Sequence, residues 1–565
     1  MRHRFIIVAL ALLATRSLAQ DDDSRCLSTS GRAAAMCLLQ YQGSVERCRG
    51  AGAPGCEELL QAEDGPLDAW LDRARTAATA HCGEANAAPL GFLSLADIGA
   101  KADDACADWA EDGLDLAFAD APLNSPAAAS CQRTVAAALR VLSRSTLIAY
   151  GPQCYVPAFN GTGCDHAARD ARVALARRKA VRLIVARCGN AFDELHLTPA
   201  DGGGLAERVG DLADTAITRA KHFALRVYPP NDLGPTADFG PYPVGITTLQ
   251  LTDASRMNTA GDGPRPVTVE VYYPTTAAAI AGHPRDVATV LGIPLLETPA
   301  YRDVAMAADG PYPLVLFSHG NNGIRIQSFF FGAHLASHGY IVVSPDHHGN
   351  TFPDTLAGLF DAQVAINRPR DMRFLIDTFL EFNASPAGFF AGAIDPDRIG
   401  MSGHSFGGYT TFALGNGEFA EPRVKALLPQ APAAVFDDAF FAGITQPTLI
   451  IGGSIDETTP PAENQQRPFD ALPSGARVVA YANLSGAGHF TFSDFCEVPR
   501  MLLSFLGGFS EACEPRHLPW RHAHDITNYL ALNFFDATLR DDAAALARLS
   551  PQAVGTIEDV VYQTK

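Results

Sequence analysis

The spacing of apolar residues divides the chain into two parts with different periodicities. Across residues 20–200, alanine, leucine, arginine and acidic residues are frequent, and the long runs hold little glycine or proline, a composition that favours helices. From about residue 244 onward, short apolar runs alternate with longer amphipathic stretches. Such runs predict strands alternating with helices, and therefore a mostly parallel sheet with helices on both faces.

The predicted strands cover residues 267–273, 313–317, 340–344, 398–401, 424–428, 447–451 and 477–482. The predicted helices that alternate with them include 327–337, 368–381 and 524–539. This order of elements is that of the α/β-hydrolase fold. We therefore predict a helical domain over 20–200, an α/β-hydrolase domain over 244–545 and a tail over 546–565. A linker is predicted over 201–243, where residues 228–243 are rich in proline and glycine.

The first nineteen residues have the pattern of a secretory signal peptide. Arg2 and Arg4 precede an apolar stretch at 5–14, and Ser17-Leu18-Ala19 forms a small-residue cleavage site. The apolar stretch is too short to span a bilayer, and no other segment approaches the required length. We expect an exported protein without a transmembrane segment, either extracellular or periplasmic. The formal net charge of −19 argues against nucleic acid and anionic membranes as partners.

The cysteines of the first part form two copies of one pattern, which suits two antiparallel helical hairpins in a disulfide-stapled all-α domain. The predicted bridges are Cys26–Cys82, Cys48–Cys56, Cys131–Cys188, Cys154–Cys164, Cys37–Cys106 and Cys496–Cys513. No cysteine or histidine cluster has zinc-ligand spacing, so we predict disulfides and no metal or cofactor. The cysteine-rich domain either attaches to a surface or protein partner, or only stabilises the chain, and the sequence leaves both open.

A Gly-x-Ser-x-Gly pentapeptide, Gly403-His404-Ser405-Phe406-Gly407, follows the predicted strand 398–401. An apolar run before it and helix-forming residues after it are typical of a nucleophile elbow, a sharp turn that exposes a serine hydroxyl. The two flanking glycines lack the Cβ atoms that would collide in such a turn. The sequence therefore predicts Ser405 as a nucleophile.

A serine nucleophile needs a base within hydrogen-bond distance and a carboxylate that orients the base. His489 lies in a glycine-containing loop after the last predicted strand of the sheet, where the base is expected. Asp456 follows the apolar strand at 447–451 and is the predicted acid, unless it only caps the turn before Thr458. Asp437 and Asp438, which follow an earlier strand, are its competitors.

The oxyanion formed during acyl transfer needs two backbone N–H donors. We predict those of Phe406 and of Asn321, which lies in the loop 318–323 after a buried strand. His319 and His404 are predicted to line the substrate pocket rather than to act as the base.

An aromatic run over residues 329–331 follows the oxyanion loop. Phe329 is a further pocket candidate, with packing in the core as the alternative. The adjacent His347 and His348 point to different faces, so they predict a loop at a strand end rather than a metal site.

Three segments carry a resemblance to known families: Phe317-Ser318-His319-Gly320, residues 403–408 and Gly486-Ala487-Gly488-His489. Together they resemble the platelet-activating-factor acetylhydrolase and dienelactone-hydrolase-like branch of the α/β hydrolases. Residues 428–432 and 447–450 are also similar to bacterial polyester hydrolases and cutinases. The resemblance spans about residues 240–540 and implies the nucleophile, base and acid named above, the acid in the polyester-hydrolase spacing. The chain differs in having a serine rather than the cysteine of dienelactone hydrolases, and Ala433 where polyester hydrolases carry an aromatic residue.

These observations predict a secreted serine hydrolase that cleaves carboxylic esters of small molecules or lipids through an acyl-enzyme intermediate. One alternative is a lipase- or phospholipase-type enzyme that resembles the platelet-activating-factor acetylhydrolases. The other is a secreted binding protein that keeps a hydrolase scaffold without turnover.

Overall fold

The computed structural model describes residues 25–41, 43–44, 66–80, 82, 125–159, 163–198, 203–227, 233–234, 236–498, 513–514 and 516–565. The chain forms two compact units, Met1–Asp232 and Leu233–Lys565. The predicted signal peptide at 1–19 lies outside the described residues. In the described parts of the chain, no helix is both long enough and apolar enough to cross a membrane.

The described part of the first unit is helical. Besides residues 25–41, it contains the α-helices Pro66–Thr79, Pro126–Tyr150, Val156–Phe159, His166–Cys188 and Leu205–Val227, the π-helix Gly151–Tyr155 and the 3₁₀-helix Gly189–Leu195. The sequence predicted a linker from residue 201, but the helix Leu205–Val227 occupies much of that range. Its residues are good helix formers with an apolar stripe. The glycine run 202–204 directly precedes the helix, and proline and glycine become frequent again only from residue 229.

Three of the predicted disulfides join residues within this unit, namely Cys26–Cys82, Cys131–Cys188 and Cys154–Cys164. Cys37 is also disulfide-bonded. Its predicted partner, Cys106, and the predicted Cys48–Cys56 bridge lie outside the described residues. In the second unit, the predicted Cys496–Cys513 bridge is present.

The second unit is built on strands that are numbered here in chain order. They are β1 Val244–Met257, β2 Pro264–Pro274, β3 Val287–Val290, β4 Ile293–Glu297, β5 Ala300–Arg302, β6 Tyr312–Ser318, β7 Ile341–Pro345, β8 Ile394–His404, β9 Val424–Gln430, β10 Thr448–Gly453, β11 Val479–Leu484 and β12 Val560–Thr564. Ten of them form one sheet in the order β12-β11-β10-β9-β8-β6-β7-β2-β1-β5. Neighbouring strands are parallel throughout the segment β11-β10-β9-β8-β6-β7. The pairs β1–β2, β2–β7 and β11–β12 are antiparallel.

In the described part of this unit, the α-helices are Phe329–Ser337, Phe352–Leu356, Val364–Ala384, Phe406–Ala413, Asp438–Ala442, Arg467–Ala471, Trp520–Leu539, Ala543–Arg548 and Pro551–Val554. Alternate residues of β6 face opposite sides of the sheet, as the strand period requires. Leu314 and Leu316 join a core cluster with Phe379 of the helix Val364–Ala384, while Phe317 packs against Phe331. Helices therefore cover both faces, as a mostly parallel sheet requires.

The predicted tail at 546–565 is not a tail. Its last residues form β12, which pairs antiparallel with β11 from Ala480–Thr564 to Leu484–Val560. A five-residue edge strand is too short to have a diagnostic periodicity, and pairing with β11 is what defines it.

Candidate active site

Ser405 lies between the end of β8 and the helix Phe406–Ala413, with φ 60° and ψ −117°. A non-glycine residue at positive φ is strained, and such strain is characteristic of functional sites. A Cβ atom at Gly407 would lie 1.8 Å from the carbonyl oxygen of Ser318, and one at Gly403 would lie 2.4 Å from that of Gly407. The turn is therefore possible only with glycine at these two positions.

His489 connects the predicted nucleophile with the predicted acid. Its Nε2 atom lies 2.8 Å from Ser405 Oγ, and its Nδ1 atom lies 2.8 Å from Asp456 Oδ2. Ser405, Asp456 and His489 are 9%, 3% and 3% exposed, so the chain of hydrogen bonds is largely shielded from solvent. The three side chains come from the ends of β8 and β10 and from the loop after β11. They have the connectivity of a nucleophile, a base and an orienting carboxylate.

Asp456 both caps its own turn and contacts His489. Its Oδ1 atom accepts the backbone N–H groups of Thr458 and Thr459 at 2.9 and 2.7 Å. Its Oδ2 atom accepts the Thr459 hydroxyl at 2.8 Å as well as the imidazole N–H. The turn thus holds the carboxylate in the orientation that the imidazole requires.

The competing carboxylates are engaged elsewhere. Asp437 accepts the N–H of Phe440 and caps the helix Asp438–Ala442. Asp438 is exposed and pairs with Arg467 at 3.2 Å.

The two predicted oxyanion donors are at the starts of a helix and a turn. Phe406 is the first residue of its helix, where an N–H group has no intrahelical acceptor. Asn321 lies in the turn closed by the hydrogen bond from Gly323 N–H to Gly320 O. A Cβ atom at Gly320 would lie 3.4 Å from Ser405 Cβ, so this turn borders the nucleophile. The role of the two donors remains a prediction.

The three predicted pocket residues are buried and not on an open surface. His319, His404 and Phe329 are 0%, 1% and 2% exposed, so a ligand could not contact them without rearrangement. Phe329 packs edge-on against Tyr272 with ring centroids 5.0 Å apart, in agreement with the core alternative. Burial lowers the pKa of His319 and of His404 well below the usual value, so both rings are neutral. The next cause is the charge of Arg368 for His319 and the imidazole of His489 for His404. The packing therefore favours structural roles for the three residues, and their assignment to the substrate pocket stays a prediction.

His404 belongs to a buried hydrogen-bond chain that includes a residue not singled out from the sequence, Gln327. Gly320 N–H donates to Gln327 Oε1 at 3.0 Å, and Gln327 Nε2 donates to His404 Nδ1 at 2.9 Å. His404 Nε2 then donates to the carbonyl oxygen of His489 at 2.8 Å. This chain connects the oxyanion turn to the backbone of the base.

A second residue that the sequence analysis missed is Arg368, which is 0% exposed. Its guanidinium lies behind the oxyanion turn and donates to the carbonyl oxygens of His319 and Gly320 at 2.6 and 2.8 Å. An arginine on the apolar side of the predicted helix 368–381, three residues before Asp371, was the available signal.

A second chain of serine, histidine and aspartate lies behind the site. His347 contacts Ser318 Oγ at 2.9 Å through Nε2 and Asp371 Oδ2 at 2.9 Å through Nδ1. All three are 0% exposed, so no substrate reaches this serine. Burial, and next the nearby Arg368 charge, lower the pKa of His347 to about 4. Its neighbour His348 is in a turn, in agreement with the predicted loop.

In the described part of the chain, one group of side chains has the spacing of metal ligands: Cys154, Cys164 and His166. The two cysteine sulfurs are joined in a disulfide and do not provide thiolates. The group therefore does not fit a metal centre.

Comparisons with known proteins find similar sequences within the second unit. The family model described as PET hydrolase-like matches residues 318–511, and the model of platelet-activating factor acetylhydrolase, isoform II, matches residues 278–357. Cutinase est2 of Thermobifida alba is 30% identical over 179 residues, which cover 32% of this chain and 53% of that protein. Cutinase 1 of Thermobifida cellulosilytica is 28% identical over 180 residues, covering 32% and 61%. A bis(hydroxyethyl) terephthalate hydrolase of Streptomyces coelicolor is 24% identical over 184 residues, covering 33% and 52%.

Among solved structures, a ferulic acid esterase from Streptomyces cinnamoneus is 25% identical with a TM-score of 0.44, covering 57% of this chain and 97% of that one. The chain spans about half the length of the curated relatives it matches. The sheet order and the sequence matches support an α/β-hydrolase of polyester-hydrolase type.

Proposed function

We propose that this protein is a secreted serine hydrolase that cleaves carboxylic esters with Ser405 as nucleophile, His489 as base and Asp456 as the orienting acid. The observation that carries the proposal is the pair of 2.8 Å contacts that His489 makes with the other two residues. The names of the similar proteins, cutinases and a bis(hydroxyethyl) terephthalate hydrolase, support ester substrates.

In the proposed mechanism, His489 Nε2 takes the proton of Ser405 Oγ as this oxygen attacks the ester carbonyl. The oxyanion accepts the N–H groups of Phe406 and Asn321, and collapse of the tetrahedral intermediate expels the alcohol after His489 has protonated it. Water, deprotonated by His489, then attacks the acyl-enzyme, and Ser405 is released with the acid. Asp456 holds the imidazole tautomer and stabilises its charged form. Each proton that leaves a nucleophile is returned to a leaving group, so the cycle needs no other acid or base.

The test is a panel of p-nitrophenyl esters and lipid esters given to the wild-type protein and to Ser405→Ala. We expect hydrolysis by the wild type and a kcat lower by roughly 10⁴- to 10⁶-fold in the variant. After digestion with trypsin, a fluorophosphonate label should be found on the peptide that follows Arg398 and ends at Arg423, which contains Ser405. It should not be found on the peptide that contains the buried Ser318. Full activity in Ser405→Ala, or no labelling of the wild type, would refute the proposal.

A lipase-type function is the second candidate, because residues 278–357 match the acetylhydrolase model. A chain-length series decides between the two. A kcat/KM that falls beyond four acyl carbons indicates a short-chain esterase, whereas a value that rises up to twelve or sixteen carbons indicates the lipase type.

For the first unit we propose an all-α domain of two cysteine-stapled repeats that carries a surface or protein contact. The helices and the three bridges within its described residues support this arrangement. Peptide mapping without reduction should find Cys48 joined to Cys56, and a Cys48–Cys82 link would refute the connectivity. Export is tested by locating the protein in culture medium or periplasm, since a cytoplasmic location would refute it.

A further inference from the structure

Arg368 is a fully buried charged group behind the proposed site, and the mechanism above does not use it. Its side chain extends from the helix Val364–Ala384 into the space beneath the oxyanion turn. It is fully buried, and its hydrogen-bond acceptors are neutral oxygens of four residues, Ser318, His319, Gly320 and Asn350. Burying a charge is costly unless something else is gained from it, so this arginine calls for an explanation.

The contacts of Arg368 are with the peptide groups that define the oxyanion turn. Its guanidinium donates to the carbonyl oxygen of Gly320 at 2.8 Å, and His319 Nδ1 approaches the same oxygen at 2.7 Å. The Gly320 carbonyl and the Asn321 N–H belong to one peptide unit. In a trans peptide these two groups point in opposite directions. Because the carbonyl is held from the buried side, the N–H of Asn321 must face away from Arg368.

The preceding peptide unit is held on both sides. Arg368 donates to the His319 carbonyl at 2.6 Å, and the Gly320 N–H donates to Gln327 Oε1 at 3.0 Å. Rotation of the turn would break both contacts, so the direction of the Asn321 N–H is fixed before any substrate binds. Preorganised donors of this kind stabilise an oxyanion without reorganisation in the transition state.

Arg368 also contacts the second donor residue. Its Cζ atom lies 4.7 Å from the centre of the Phe406 ring, within the range of a cation–π contact. Burial lowers the pKa of Arg368 to about 9, so the group is still charged at neutral pH. A positive charge behind a peptide polarises it and makes its N–H a stronger donor.

We propose that Arg368 is a positioning residue for the oxyanion hole, which it orients through the Gly320 carbonyl and the Phe406 ring. The Arg368 guanidinium is itself held in place by a buried hydrogen-bond chain. It donates to Ser318 Oγ at 3.1 Å, and Ser318 is linked through His347 to Asp371. This inference rests on the proposed function.

Arg540 provides a matched control within the same unit. It also donates to two consecutive carbonyl oxygens, of His338 and Gly339, at 3.1 and 2.6 Å, and lies 4.0 Å over the Tyr340 ring. The turn that it holds precedes β7 and contains no residue of the proposed site. Removing either arginine breaks contacts to two consecutive carbonyl oxygens and one cation–π contact, and removing Arg540 also breaks its ion pair with Asp536 at 2.9 Å. Only Arg368 serves the oxyanion turn.

The experiment compares Arg368→Met, Arg368→Lys and Arg540→Met with the wild type on p-nitrophenyl acetate, together with the rate of inactivation by a fluorophosphonate. We expect Arg368→Met to lower kcat and the inactivation rate about 100-fold, the size associated with one oxyanion donor. KM should stay within twofold, and the acid limb of the kcat/KM profile should not move, because the contacts of His489 are unchanged. Arg368→Lys should recover part of the loss, and Arg540→Met should keep wild-type kcat.

The inference is overturned if Arg368→Met and Arg540→Met have the same kcat, if the loss appears in KM alone, or if the acid limb moves. Should Arg368→Met not fold, Arg368→Lys and Asn350→Ala decide the matter. The second removes the acceptor of the Arg368 Nε–H and leaves the charge in place. A kcat within twofold of the wild type in both would refute the role. Wild-type protein that the probe does not label would refute the proposed function instead, so the two failures are distinguishable.

Discussion

The Nε2 atom of His404 lies 2.8 Å from the backbone carbonyl oxygen of His489. The residue that precedes the proposed nucleophile thus holds the backbone of the proposed base, across 85 positions of sequence. The position of His489 relative to Ser405 therefore depends on a ring that takes no part in the chemistry.

Replacing His404 by Phe is expected to lower kcat about tenfold, because the base loses an anchor and small displacements of reacting groups are costly. It should also lower the free energy of unfolding by about 2 kcal/mol, because Gln327 Nε2 and the His489 carbonyl lose their partners. His404→Gln can both donate and accept and should restore part of each loss. Ester kinetics and urea unfolding measure the two effects, and a Phe variant with wild-type kcat would contradict the role.

Asp456→Asn is expected to lower kcat by roughly 10³- to 10⁴-fold, because an amide in this place can favour the wrong imidazole tautomer. Asp438→Asn is the control, since this carboxylate is exposed and contacts Arg467 rather than His489. Steady-state kinetics on a p-nitrophenyl ester give the comparison. Equal activity of the two variants would remove Asp456 from the mechanism.

Gly407→Ala should abolish soluble, active protein, because the new Cβ would lie 1.8 Å from the Ser318 carbonyl oxygen. The backbone on both sides of this contact is in the core, so relief would require moving β6 or the nucleophile turn. Gly475→Ala is the matched control, since no atom lies within 4 Å of its new methyl group. Soluble yield and melting temperature are the measurements, and a Gly407→Ala protein as stable as Gly475→Ala would contradict the close approach.

Asp494 predicts a pH dependence of stability. Burial raises the pKa of this carboxyl to about 8, although the Phe330 N–H donates to it at 3.1 Å. Between an unfolded pKa near 3.9 and a folded pKa near 8, the folded state binds the extra proton, so this group's contribution to stability falls as the pH rises. Asp494→Asn lacks this dependence.

Urea unfolding at pH 5 and pH 8 checks this prediction. The Asn variant should gain stability relative to the wild type between the two values, whereas Asp262→Asn, at an exposed turn, should not. If the difference in unfolding free energy between Asp494→Asn and the wild type is the same at pH 5 and pH 8, Asp494 is ionised in the folded protein.

Local patterns in the sequence determined the parts of this protein that depend on neighbours in the chain. The strand and helix alternation predicted the order of elements, and the pentapeptide around Ser405 predicted the strained turn, because a glycine is needed on each side. The contact between Asp456 and His489 was predictable because, once the strand order is known, each residue follows the carboxyl end of a late strand. Cysteine spacing likewise predicted Cys26–Cys82 and Cys131–Cys188.

Only the tertiary structure decided which groups are buried and what they contact there. The positions of His319 and His404, the Gln327 hydrogen bonds and the pairing of β12 depend on segments far apart in sequence. Arg368 is the clearest case, since a sequence shows an arginine but not whether water or two carbonyl oxygens surround it. Desolvation is a property of the packed interior, and it is set by all the surrounding elements together.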